Sequence, residues 1–181
     1  MADTFKPWVW AVFAFNSLFA TIFALLAWYT FSEFKRVSSE ATVLVVDRDD
    51  WVALFRGAAV SAFFALLLVI IFVVVSIYYM VFTRVSLAHP RSRYGKGFLV
   101  AASFYTAMHL ANIAAQFWSF TSAMHTWTTV YHADFDRALL IATYAWGFIS
   151  AGSFLIFAVM LMIWPNTEVE ALEHERLSTA A

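Results

Sequence analysis

The sequence predicts an all-α membrane protein, built as a bundle of four transmembrane helices with both termini on one side and a structured first outer loop. Four apolar runs without Asp, Glu, Lys or Arg carry this reading: 8–31, 58–83, 98–120 and 138–164. A helix needs about 20 apolar residues to cross a hydrocarbon core roughly 30 Å thick, and every run meets that length. Composition agrees, with 63% hydrophobic, 19% aromatic and only 13% charged residues. Soluble domains carry about 25% charged residues. The charges that remain fall in the connections and tails, so 1–181 forms a single transmembrane domain.

The elements follow in order. Pro7 suits a helix start, where a missing N–H costs nothing. Trp8, Trp10, Trp28 and Tyr29 flank the first run as interfacial anchors. The first connection, 32–57, mixes Lys35, Arg36, Arg48 and Arg56 with Glu33, Glu40, Asp47, Asp49 and Asp50. Within it, 41–46 is short and β-branched and reads as an extended strand. Asp47, Asp49 and Asp50 then supply helix-capping chemistry, and 51–55 reads as an interfacial helical turn. The second run gathers small residues where it begins (Gly57, Ala58, Ala59, Ser61, Ala62, Ala65) and is lipid-facing in composition over 66–75. The second connection, 84–96, carries Arg84, Arg91, Arg93 and Lys96 without an acid. That cluster marks the inner side by the positive-inside rule and, through an even number of spans, places both termini there. It also suits anionic lipid headgroups. The fourth run carries Gly147 and Ala151 at the four-residue spacing that lets helices approach closely. Pro165 ends it, and 166–181 is an acidic tail.

The third run is the one with chemistry in it. His109, Asn112, Gln116 and Ser119 recur at steps of three and four and form one polar stripe. Ser103, Ala107, Ala111 and Ala114 form a stripe of small residues on another side. Unpaired polar groups cost several kcal/mol in hydrocarbon, so the polar stripe is expected to turn inward. Asn16, Ser17, Thr143, Tyr144 and Ser150 are its candidate partners there. Interhelical hydrogen bonding is the leading use of such a stripe. A minority reading makes His109 an axial ligand to haem or chlorophyll, and another makes the stripe the lining of an oligomeric channel.

Other chemistry is scarce. The chain has no cysteine, which excludes disulfides, thiolate catalysis and cysteine-based metal centres. Its net charge of -1 gives no basis for binding nucleic acid. His125, His132, Asp134 and Asp136 match no compact metal motif, so no metal is expected, and the two aspartates suit the N-terminus of the fourth helix. No ionisable side chain other than His109 lies in a span, so ion-coupled transport lacks its usual parts.

In outline the topology resembles the broad tetraspan group of claudins, MARVEL-domain proteins, plant CASP-like proteins and channel auxiliary subunits. This resemblance implies four helices, inner termini and a larger first outer loop. The chain lacks the paired cysteines of claudin first loops. Asn16 and His109 are the most polar members of spans that carry Arg and Asp in CASP-like proteins. Architecture alone transfers no function. The functional expectation is a non-catalytic, multi-pass membrane protein acting by lateral association. It would serve as an accessory or scaffold subunit of a larger membrane complex or as a self-associating tetraspan, with lipids and other integral subunits or itself as partners. The alternatives are a haem- or chlorophyll-binding subunit and an oligomeric channel.

Overall fold

The structure is a computed structural model that describes residues 7–40, 48–82, 92–130 and 134–163. It holds four helices: α1 (Pro7–Glu40), α2 (Arg48–Phe82), α3 (Ser92–Val130) and α4 (Arg137–Ile163). Each packs against its neighbours in a ring, α1 on α2, α2 on α3, α3 on α4 and α4 on α1, while the diagonal helices keep apart along their backbones. Phe13 meets Phe157, and Thr30 meets Thr143. Rising numbers on α1 therefore pair with falling numbers on α4, and successive helices run antiparallel.

Three helices contain stretches long and apolar enough to cross a membrane: Ala11–Glu40, Arg48–Val74 and Arg137–Ile163. This is the architecture of a multi-pass helical membrane protein. α3 is the longest helix at 39 residues, about 58 Å at 1.5 Å per residue. Its apolar stretch is diluted by Ser103, Thr106, His109, Asn112, Gln116 and Ser119.

The helices are longer than the apolar runs. Residues 32–40, expected in the first connection, continue α1, and 48–57 already belong to α2. Residues 121–130, expected in the third connection, continue α3. Hydropathy marks where lipid ends and says nothing of where a helix ends; Ser, Glu, Lys and Arg extend a helix into water at little cost. On α1 the extension is supported by Arg36, which pairs with Glu33 one turn before it and Glu40 one turn after it. The expected strand at 41–46 and the tail at 166–181 lie outside the described residues.

The extended ends enclose an aromatic core. Phe55 stacks on Phe34 at 4.3 Å and on Phe120 at 4.1 Å between ring centroids, and its edge meets Phe117 at 6.2 Å. Trp51 and Phe135 close around this cluster. Phe34, Phe55 and Phe117 are fully buried. One side chain on α2 thus ties α1 to α3. Phe55→Ala is expected to lower stability by about 3–5 kcal/mol through lost burial and cavity formation. Leu54→Ala, at an exposed neighbouring position, should change it by about 0.5 kcal/mol or less. Unfolding in mixed detergent micelles measures both.

A close helix contact lies at Gly147. A Cβ built there would stand 2.6 Å from the Ala114 Cβ and 2.8 Å from Cε2 of Phe23. A hydrogen therefore occupies the point where α1, α3 and α4 converge, and Ala151 is buried one turn further along α4. Nothing lies within 4 Å of a Cβ at Gly152. Gly147→Ala should destabilise by about 1–3 kcal/mol through overpacking. Gly152→Ala should be neutral or stabilising, because alanine is the better helix former. Equal thermal midpoints for the two variants would contradict this assignment.

Candidate functional site

α3 buries its small and apolar face. Ser103, Thr106, Ala107, Leu110, Ile113, Ala114, Phe117 and Phe120 all turn into the bundle. This follows from the Gly147 contact: with Ala114 seated against α4, the helix has one rotation about its axis. The inward position expected for the polar stripe is therefore corrected. Asn112 and Ser119 are exposed, and His109 and Gln116 are half-buried. Ala111 is partly buried and packs against the core. The small side chains won the interior because they permit the closest helix approach.

The stripe makes few bonds of its own. Ser119 Oγ donates to the Gln116 carbonyl at 2.7 Å, back along the same helix. The His109 ring lies parallel to Tyr105, with centroids 6.2 Å apart and planes 6° from parallel. Among the described residues, no hydrogen bond joins the Asn112 or Gln116 carboxamide to another group. Ala114 lies against Gly147, so the stripe from 109 to 119 lies at the same level as the apolar stretch of α4, on the side of α3 away from that contact.

A second polar set, different from the stripe, occupies the interior. Thr30 and Thr143 hydroxyls meet at 2.6 Å between α1 and α4, fully buried. Each also lies within reach of a carbonyl of its own helix, Leu26 for Thr30 and Leu139 for Thr143, both at 2.8 Å. One hydroxyl donates to the other while the acceptor's proton goes to its own helix. Asn16 is 1% exposed, yet neither its Nδ2 nor its Oδ1 has a partner, and the Ser103 and Ser150 hydroxyls are also buried without one. Of the other candidate partners, Ser17 is half-buried and accepts from Thr21 through its carbonyl, and Tyr144 packs against the core.

Asn16 and Ser103 sit at a break in the apolar core. Phe13, Phe72, Leu99, Phe157 and Leu161 form a small cluster, and the main cluster resumes at Ala20 on α1 and Ala107 on α3. Asn16 lies between Phe13 and Ala20, and Ser103 lies midway between Leu99 and Ala107. Periodicity alone missed this arrangement. Asn16 as the single carboxamide of the first run was the available signal.

At the far end, Arg137 Nη2 donates to Thr128 Oγ1 at 2.5 Å and approaches His125 Nδ1 at 3.4 Å. It pins the last turns of α3 to the start of α4. Asp136 Oδ1 accepts from the Ala138 N–H at 2.8 Å, a helix N-cap. Asp134 is exposed, and His132 lies outside the described residues, as do Arg84 and Arg91. Arg93 and Lys96 fall in the first turns of α3. Among the described residues, no group of three or more His, Asp or Glu converges on a possible metal position.

Compared with known proteins, the chain matches no family model, no curated sequence and no solved structure. Fold and geometry define its class, a multi-pass helical membrane protein with a polar face turned outward.

The buried hydroxyl pair offers a direct check. Thr30→Val and Thr143→Val should each lower stability by about 0.5–2 kcal/mol. The double variant should lose less than the sum, because the second change removes a group already without its partner. Additive losses would show that the hydroxyls act independently.

Proposed function

We propose that this protein is a non-catalytic, four-span membrane protein that works by lateral association, as an accessory or scaffold subunit of a larger membrane complex or as a self-associating tetraspan. One observation carries the reading: the outward face of α3 presents Asn112, Gln116, His109 and Ser119 at the level of the apolar stretch of α4, with the two carboxamides unpaired. Hydrocarbon offers such groups nothing to bond, so a neighbouring membrane helix is the partner that satisfies them. Within the apolar stretches the outer surface of the other helices exposes Leu67, Ile70, Ile71 and Val74 on α2 and Leu155, Ile156 and Met162 on α4. These side chains suit lipid tails.

In this reading α3 crosses the bilayer with the other three helices despite its lower hydropathy. The 84–96 connection and both termini lie on the inner side, and the aromatic collar around Phe55 projects on the outer side. The cysteine-free sequence makes the topology simple to test. Single cysteines at Ser92 and Thr129, near the two ends of α3, should react with an impermeant maleimide from opposite faces of sealed vesicles. Reaction from the same face would remove α3 from the bilayer and the reading with it. In mild detergent the protein should migrate as an assembly larger than one chain. Wild-type protein with a visible absorption band lost in His109→Gln would favour a tetrapyrrole-binding subunit instead.

A further inference from the structure

We propose that the outward stripe of α3 is a twofold self-association surface, with the same stripe of a second copy of this chain as its occupant. The inference rests on the lateral-association reading above and names the partner. Copies of one membrane protein insert in one orientation, so two α3 helices meeting in the bilayer run parallel. The symmetry axis then lies along the membrane normal, and each residue near it faces its own copy.

Few polar side chains can pair with themselves. A carboxylate or an ammonium repels its copy, whereas a carboxamide carries two N–H donors and an oxygen acceptor and bonds its copy reciprocally. Asn112 and Gln116 are such residues. They lie one turn apart on the same face, unpaired within the chain, and the face between His109 and Ser119 holds no Asp, Glu, Lys or Arg. In a parallel pair, Asn112 meets Asn112 of the second copy and Gln116 meets Gln116. Both carboxamides left open on the stripe gain a partner, and no unlike chain is needed to supply it.

The surroundings fit this arrangement. Tyr105, in line with the stripe, is 64% exposed and Met108, beside it, 58%, which gives the polar centre an apolar and aromatic margin. The Tyr105–His109 stack fixes one end of the stripe. Ser119 has bonded back to its own helix and adds a small surface near the other end, where two backbones can come close. From His109 to Ser119 the face is about 15 Å long, half the thickness of a hydrocarbon core.

The test uses full-length protein in lipid vesicles, with single cysteines at Met108, Ser119 and, as a control on the outer face of α4, Ile156. Oxidation should yield a covalent dimer of this chain from Met108→Cys and Ser119→Cys and none from Ile156→Cys. Adding Asn112→Leu with Gln116→Leu should weaken self-association roughly tenfold to a hundredfold. Asn112→Gln, which keeps the self-pairing group, should preserve the dimer. Equal cross-linking at Ile156 would overturn the proposed face. An intact assembly in which Met108 and Ser119 cross-link only to a different polypeptide would overturn the second copy as occupant and leave lateral association standing. A monomer without cross-links from any position would overturn both.

Discussion

The contact at Gly147 sets most of what is distinctive in this molecule. Ala114 of α3 and Phe23 of α1 converge where α4 has no side chain, so three helices share one crossing point. Seating Ala114 there fixes the rotation of α3. Its small and apolar face then lines the interior, and its carboxamides are carried outward. The polar outer surface is in this sense a consequence of a packing decision at one glycine. In a bilayer the decision is not driven by hydrophobic burial, since lipid tails are as apolar as the protein interior. Close packing and a few hydrogen bonds favour one helix arrangement over another.

The helical class, the positions of the apolar stretches and the chemistry of Gly147 were legible in the sequence, because each depends on a local property: run length, charge exclusion and side-chain size. The ends of the helices were not. Residues 32–40 and 121–130 look like loop by hydropathy, yet the Arg36 ion pairs and the Phe34–Phe55–Phe120 stack keep the helices going. The aromatic residues just beyond the apolar runs, Phe34, Trp51, Phe55 and Phe135, were a usable signal for a core that continues past those runs. The direction of the α3 stripes was not legible either. Periodicity shows that His109, Asn112, Gln116 and Ser119 share a face, but choosing which face turns inward requires the shapes of α1 and α4.

The bundle uses different means of cohesion along its length. At the extended ends it relies on stacked aromatic rings, with the Arg36 ion pairs, the Arg137 clasp and the Asp136 cap around them. Within the apolar stretches ions are absent, and cohesion comes from Ala20, Ala24, Ala27, Ala62, Ala65, Ala107 and Ala151, all buried, with the Thr30–Thr143 bond between two of the helices. Small side chains lose little rotamer freedom on packing, which makes close approach inexpensive in entropy. Hydroxyls suit the same environment, because threonine can fall back on a carbonyl of its own helix when no partner is present. Thr21, Thr106 and Thr143 all have that option.

Asn16 departs from that economy. Its carboxamide cannot be satisfied as a threonine hydroxyl can, and the apolar core divides at its level, with Phe13, Phe72 and Phe157 on one side and the main cluster from Ala20 on the other. A buried polar group without a partner costs about 1–3 kcal/mol, so Asn16 does not stabilise the bundle as it stands. Asn16 therefore stands at a net cost to the bundle, at the junction of its two apolar clusters, where no alanine or aromatic ring of either cluster is displaced by it.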